Sequence, residues 1–190
     1  MNTKSVMIVG VGGQGSLLAS KLLGRLLMDE GFDVKVSEVH GMSQRGGSVV
    51  TYVRYGEKVY SPIIAEGEAD VIISFEKLEA ARYASFLKLD GKIVVNTQQI
   101  DPMPVIIGAA EYPENVLSEL TAKGLQVEAL DALTLAEKAG SSKAVNIVLM
   151  GRAAKYFDIP YDNWIKAIEN TVAPKFIEMN KIAFNLGYNS

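Results

Sequence analysis

Cysteine is absent from the 190 residues of this chain, and histidine occurs only once. Disulfides, a cysteine nucleophile and an iron–sulfur cluster bound through thiolates of this chain are therefore excluded. A single histidine also excludes a histidine-rich metal site. If the protein takes part in redox chemistry, its redox centres must lie on another chain.

Basic residues are not in excess either. The chain has 19 Lys and Arg against 22 Asp and Glu, a net charge of −3, so neither nucleic acid nor an anionic membrane is expected as a partner. No apolar run approaches the roughly 20 residues that cross a bilayer, and a strand predicted from residue 5 leaves no room for a signal peptide. We therefore expect a cytoplasmic protein, and its length fits one domain.

The predicted elements follow the order of an α/β protein. Residues 5–10 are an apolar run ending in glycine, typical of a strand buried on both faces of a parallel sheet. Helical spacing then continues to about Gly31, and a second strand is predicted over residues 32–39. Further strands are predicted over 70–74, 92–96 and 126–129, and helices over 75–87, 114–123, 143–157, 161–170 and 174–186. The pattern predicts a single Rossmann-like domain with a mainly parallel sheet and a helical C-terminal segment.

One segment departs from this regular alternation of strands and helices. Residues 49–55 alternate between apolar and polar positions and are followed by the turn residue Gly56. This pattern predicts a hairpin insertion that returns through Val59 and Tyr60.

The first strand ends in a glycine-rich turn. Gly10, Gly12 and Gly15 match the pattern G-x-G-x-x-G, with a strand before the turn and a helix after it. The glycines permit a tight turn and a close approach to an anion, and the helix N-terminus offers free N–H groups. The turn is therefore a candidate site for a phosphate or a carboxylate. Alternatively, the glycines serve only chain geometry and helix packing, or they face a partner chain.

An acidic residue near this turn keeps a dinucleotide-binding interpretation open. Glu38 ends the second strand, near the place of the acid that binds ribose in an NAD site. A stand-alone NAD(P)-dependent dehydrogenase is thus an alternative, although the sequence supplies no evident catalytic acid or base for it. His40 is the only histidine, and we assign it no catalytic role, because Glu38 is the only carboxylate that the sequence places near it.

A second glycine loop follows about thirty residues after the first. Residues 37–48 read Ser-Glu-Val-His-Gly-Met-Ser-Gln-Arg-Gly-Gly-Ser. The paired glycines Gly46 and Gly47 allow successive N–H groups to face one concavity, and Arg45 adds a bidentate donor. Ser43 and Ser48 supply hydroxyls. Such a loop suits a phosphate, a carboxylate or an acidic side chain of a partner; alternatively, it is an ordered loop in which Arg45 binds backbone carbonyls.

With both loops present, the chain resembles the gamma-type subunits of the 2-oxoacid:ferredoxin oxidoreductases. The similarity rests on residues 10–15 and 37–47 and continues through 49–54, 70–76, 96–97 and 180–188. The length and residues 164–180 are more similar to the indolepyruvate branch of this family than to the pyruvate or 2-oxoglutarate branches, which stay open as alternatives. Lys143 lies in a stretch similar to the family's loop before the penultimate helix, but its role is unassigned.

The resemblance implies a gamma-type catalytic domain over residues 1–190 and a small, cluster-free subunit. The family decarboxylates a 2-oxoacid on thiamine diphosphate, reduces ferredoxin through iron–sulfur clusters, and forms an acyl-CoA and CO₂. Thiamine diphosphate, Mg²⁺ and 4Fe–4S clusters are then expected on a large partner subunit. CoA is the co-substrate, this chain alone binds no cofactor, and the isolated chain is inactive.

The two loops supply all the candidate site residues. The expected contacts to an anionic ligand or a partner chain are Gly10, Gly12, Gly13, Gln14, Gly15, Ser43, Arg45, Gly46 and Gly47. No catalytic residue and no metal ligand is assigned. A third interpretation, a pure interaction domain in which both loops are structural, is also compatible with the sequence.

Overall fold

The computed structural model describes residues 3–40, without the side chain of His40, and residues 47–190. Its strands are β1 (Lys4–Val11), β2 (Asp33–His40), β3 (Ser48–Gly56), β4 (Ala69–Ser74), β5 (Leu87–Asn96) and β6 (Gln126–Leu130). They form a six-stranded sheet in the order β2-β3-β1-β4-β5-β6. The pairs β1–β4, β4–β5 and β5–β6 are parallel, whereas β3 is antiparallel to both β1 and β2. The predicted α/β domain with a mainly parallel sheet is confirmed.

Helices cover both faces of this sheet. They are α1 (Ser16–Asp29), α2 (Lys77–Arg82), α3 (Met103–Ile106), α4 (Val116–Ala122), α5 (Ala132–Lys138), α6 (Val145–Ala153), α7 (Tyr161–Thr171) and α8 (Ile177–Tyr188). On the first face, α1 and α5 to α8 pack over Val6 and Ile8, and on the second face α2 and α4 pack over Met7 and Val9. Successive side chains of a strand point to opposite faces, so β1 supplies both cores. None of these helices has the length and apolarity needed to cross a bilayer.

The predicted hairpin through Val59 and Tyr60 is wrong. β3 ends at Gly56, and residues 57–60 form no strand. β3 instead pairs along its length with β1 on one side and with the preceding β2 on the other. The alternating pattern identified the strand correctly, but alternation does not specify which strand lies beside it, and β3 lies between β1 and β2.

Two further boundaries differ from the sequence prediction. The helix predicted over residues 75–87 is only α2 followed by a short 3-10 turn at Ala84–Phe86. The next strand, β5, already begins at Leu87 and runs through the predicted turn residues Asp90 and Gly91. A Cβ at Gly91 would lie 2.7 Å from Cδ1 of Leu87 and 3.0 Å from the carbonyl oxygen of Ala69, so this glycine allows close packing within the sheet.

The carboxylate of Asp131 caps α5, and its removal has a predictable effect. Its two oxygens accept hydrogen bonds from the N–H of Thr134 at 3.0 Å and from the Thr134 hydroxyl at 2.7 Å. Asp131→Ala should lower the free energy of unfolding by about 1 kcal/mol at neutral pH. Asp131→Asn keeps an accepting oxygen and should retain most of the stabilisation that the cap provides. Urea denaturation followed by circular dichroism would measure both variants.

The contribution of this cap should depend on pH. The bonds from Thr134 hold the pKa of Asp131 below its ordinary value of 3.8. Because the folded-state pKa is lowered, the stabilisation is fully present above pH 3.8 and is lost as the pH falls through the folded-state value. The difference in free energy of unfolding between wild type and Asp131→Ala should therefore become smaller as the pH falls below 3.8. An equally large difference well below that pH would contradict the role of the Asp131 carboxylate as the cap of α5.

Candidate functional site

The first glycine loop lies between β1 and α1, at the edge of the sheet where the parallel strands β1, β4 and β5 end. Gly13 and Gly15 have φ angles of 99° and 87°, a region that side-chain-bearing residues rarely adopt. Gly15 is the N-cap of α1, and a Cβ there would lie 2.9 Å from Nδ2 of Asn146. The chain geometry therefore requires glycine at both positions.

Gln14 and Gly10 serve the internal structure of this turn. Oε1 of Gln14 accepts a hydrogen bond from the N–H of Val11 at 2.7 Å, and its Nε2 donates to the carbonyl of Phe75 at 3.1 Å. A Cβ at Gly10 would lie 2.9 Å from both Gln14 Oε1 and Phe75 Cβ. The Gln14 amide, which the sequence suggested as a ligand contact, therefore ties the turn to the segment after β4.

Several N–H groups of the turn have no acceptor within the described part of the chain. The N–H of Gly12 donates to the carbonyl of Gly47 at 2.9 Å. Among residues 3–40 and 47–190, no protein acceptor receives the N–H groups of Gly13, Gly15, Ser16 and Leu17. Such groups at a helix N-terminus favour a negatively charged ligand.

A cleft of about 550 Å³ opens beside this turn on the first face of the sheet. Gly13 and Gly15 line it, as does Lys143, which precedes α6. Asn146 of α6 also lines the cleft and joins this helix to the turn, because its Nδ2 donates to the carbonyl of Gly15 at 3.1 Å. The structure thus brings Lys143, to which the sequence assigned no role, to the same cleft as the glycine turn and adds a cation there.

Glu38 borders a neighbouring cleft of about 400 Å³, together with Gly12, Ser16 and Leu17. In a dinucleotide-binding fold the ribose-binding acid ends the strand adjacent to β1. Here β3 lies between β1 and β2, so the strand of Glu38 is two strand spacings, roughly 10 Å, from β1. The inserted strand therefore departs from the strand order of a dinucleotide-binding fold, although Glu38 and the glycine turn line the same cleft.

Of the second glycine loop, residues 37–48, the structure describes residues 37–40 and 47–48. Ser43, Arg45 and Gly46 lie outside the described residues, as does the side chain of His40. Gly47 accepts the hydrogen bond from Gly12, which joins the ends of the two loops. The Ser48 hydroxyl donates to the carboxylate of Glu79.

Two buried glutamates of the second face were missed in the sequence. Glu76 is 1% exposed and Glu79 is 4% exposed. Glu76 accepts hydrogen bonds from the N–H of Glu79 at 2.9 Å, from the N–H of Ile100 at 3.3 Å, and from the hydroxyl of Tyr112. Burial, and then the bond to Glu76, raise the pKa of Tyr112. A glutamate just before a helix, with another three residues later, was the available signal, since acidic side chains cap helix N-termini.

The donor groups of this chain do not suit an iron–sulfur cluster or a bound magnesium ion in the part that the structure describes. The sequence holds no cysteine. Within the described ranges, no three His, Asp or Glu side chains are grouped closely enough to hold a metal ion. What the described residues offer at this edge of the sheet is a set of backbone N–H donors and the lysine Lys143.

Comparisons with known proteins agree with this architecture. The family model for pyruvate ferredoxin/flavodoxin oxidoreductase matches residues 5–190. The indolepyruvate oxidoreductase subunit IorB of Archaeoglobus fulgidus is 41% identical over 97% of this chain and 94% of its own length. The same subunit of Thermococcus kodakarensis is 42% identical over 98% of this chain and 95% of its own length.

Solved structures share the fold. The gamma subunit of a keto/oxoacid ferredoxin oxidoreductase from Geobacter sulfurreducens superposes with a TM-score of 0.72 at 21% identity, covering 98% of this chain and 96% of its own. The pyruvate oxidoreductase subunit PORC from Thermotoga maritima gives 0.75 at 19% identity, covering 100% and 97%. The match along nearly the whole sequence confirms the resemblance seen in the two glycine loops. The chain therefore belongs to the pyruvate ferredoxin/flavodoxin oxidoreductase family and is a gamma-type small subunit of a 2-oxoacid:ferredoxin oxidoreductase.

Proposed function

We propose that this chain serves a cytoplasmic enzyme that oxidises indolepyruvate or a related aryl pyruvate, with ferredoxin as electron acceptor and CoA as acyl acceptor. The proposal rests on sequence identity, which is higher to relatives of the indolepyruvate branch than to relatives of the pyruvate branch. Two relatives named for indolepyruvate are 41% and 42% identical to this chain, whereas two named for pyruvate and ketoisovalerate are 28% and 26% identical.

The chemistry is divided between two subunits in this proposal. Thiamine diphosphate with Mg²⁺ and the 4Fe–4S clusters belong to a large partner subunit, since this chain has no cysteine to bind a cluster. When bound there, thiamine diphosphate supplies the decarboxylation and the clusters carry the electrons away. The small subunit binds and orients an anionic group.

The two glycine loops are the proposed binding elements of this chain. The N–H groups of Gly13, Gly15, Ser16 and Leu17 suit the negative charge of the phosphates of CoA, and Lys143 lines the same cleft as Gly13 and Gly15. Arg45 directly precedes Gly46 and Gly47 in the second loop, and its guanidinium is a further cation that we propose for the same ligand. The alternative occupant of these groups is an acidic segment of the large subunit.

Purification of the tagged chain from its anaerobic host tests the proposal. We expect a brown, thiamine-dependent complex that reduces a viologen dye only with an aryl pyruvate and CoA present, while the chain by itself neither turns over nor binds NAD. Pyruvate and 2-oxoglutarate serve as control substrates and separate the branches. A colourless chain without a partner, or one that binds NAD, would contradict the assignment.

A further inference from the structure

The carboxylate of Glu79 is buried on the second face of the sheet, beneath the end of the second glycine loop. It accepts hydrogen bonds from the hydroxyl of Ser48 and, at 3.1 Å, from Nε of Arg82. The hydroxyl of Tyr83 lies 3.1 Å from that of Ser48 and completes the cluster. A buried carboxylate is costly unless its partners are retained, so this cluster specifies one position for Ser48.

A continuous chain of contacts leads from this cluster to the first glycine loop. Ser48 begins β3 and lies opposite Val11 in the register with β1. The preceding residue, Gly47, accepts the hydrogen bond from the N–H of Gly12. A cleft of about 470 Å³ between α2 and α3 reaches Val11, Gly47 and Ser48, so Glu79 lies directly under the junction of the two loops.

We propose that Glu79 is a positioning residue that, through Ser48, holds Gly47 against Gly12 and so fixes the first glycine turn, whose N–H groups meet an anionic ligand. The first part, the positioning, stands on the contacts of this chain alone. The second part, the ligand, rests on the proposed function.

The rest of α2 is held independently of Glu79. Glu76 caps this helix and also binds the N–H of Ile100 and the hydroxyl of Tyr112. The bond that Glu79 donates to Glu76 comes from its backbone, which a side-chain substitution leaves in place. Substitutions of the Glu79 side chain therefore test the bond to Ser48 without removing the cap of α2.

Amide hydrogen exchange of Gly12, measured on the full-length chain, tests the positioning. Glu79→Ala and Ser48→Ala should each accelerate this exchange by about tenfold. Glu79→Gln retains an acceptor for the serine hydroxyl and should stay within about twofold of wild type. The double variant should exceed the single variants by much less than the product of their effects, because both remove the contact between Ser48 and Glu79.

The matched control is Glu119→Ala, which removes an exposed glutamate from the first turn of α4. It should leave the exchange of Gly12 unchanged. Unchanged exchange of Gly12 in both Glu79→Ala and Ser48→Ala would overturn the proposal, as would equal acceleration by Glu79→Gln and Glu79→Ala, since the retained acceptor would then have no effect.

Kinetics of the complex test the link to the ligand. Glu79→Ala should raise the KM for CoA by about tenfold while kcat stays within about twofold, and Glu79→Gln should restore the KM. A lowered kcat with an unchanged KM for CoA would overturn this part. If the wild-type complex shows no CoA-dependent turnover, the proposed function fails and the ligand part fails with it, while the exchange of Gly12 still decides the positioning.

Discussion

Replacing Gly187 with alanine is expected to lower the free energy of unfolding by about 3 kcal/mol or more. Gly187 lies in α8 where this helix contacts α6, and a Cβ there would overlap the carbonyl oxygen of Val148. Gly151 makes the reciprocal contact, since its Cβ would overlap the carbonyl of Phe184. Backbone atoms cannot rotate away as side chains do, so the two helices would have to separate.

Gly24 provides the matched control, because it is also a buried glycine inside a helix. A Cβ at this position would meet only Cγ2 of Val36, at an ordinary contact distance of 3.7 Å. Gly24→Ala should therefore stabilise the protein slightly, by about 0.5–1 kcal/mol, as alanine does in a helix interior. Urea denaturation of the two variants and of Gly151→Ala would measure the difference. Equal stability of Gly187→Ala and Gly24→Ala would refute the close packing of α6 on α8.

Ser16→Glu is expected to have the largest effect on ligand binding, with a rise of about 100-fold or more in the KM for CoA. Ser16 is the first residue of α1 and lines the cleft beside Gly12, Gly13 and Leu17. Two like charges roughly 5 Å apart repel by about 3 kcal/mol at an effective dielectric constant of about 20, which corresponds to more than 100-fold in affinity. This result depends on the proposed anionic ligand.

Loss of folding is not expected to explain such a result. A glutamate in the first turn of a helix interacts favourably with the helix dipole, so Ser16→Glu should unfold at the same temperature as wild type or slightly above it. Ser16→Gln has nearly the same shape without the charge, and its KM for CoA should rise much less. Similar values of KM for the two variants would show that size, and not charge, is sensed at this position.

The sequence predicted the α/β class because its two signals, apolar runs for strands and helical spacing of apolar residues for helices, depend only on neighbours along the chain. Residues 5–10 are continuously apolar, and all six are buried in β1. The helices of the last third were predicted from their spacing, and α6, α7 and α8 begin or end close to the predicted positions. The hairpin prediction failed because alternation over residues 49–55 identifies a strand without naming its neighbour.

The candidate site was predictable only in part. The motif of Gly10, Gly12 and Gly15 identified the turn, and the positive φ angle at position 15 explains why a glycine is needed there. The sequence could not indicate that Gln14 bonds within the turn or that Lys143 reaches the same cleft, because these contacts join segments far apart in the chain. Glu76 and Glu79 were missed since charged residues are usually exposed.

The sequence by itself determined the absence of a cysteine-bound cluster, the Rossmann-like class and the positions of both glycine loops, because each depends on residue identity or on neighbours along the chain. Only the tertiary structure decided that β3 enters the sheet beside β1 and separates the strand of Glu38 from β1. It also decided that Glu79 lies under the junction of the loops. Strand order and burial arise from packing between distant segments, and a local pattern does not specify them.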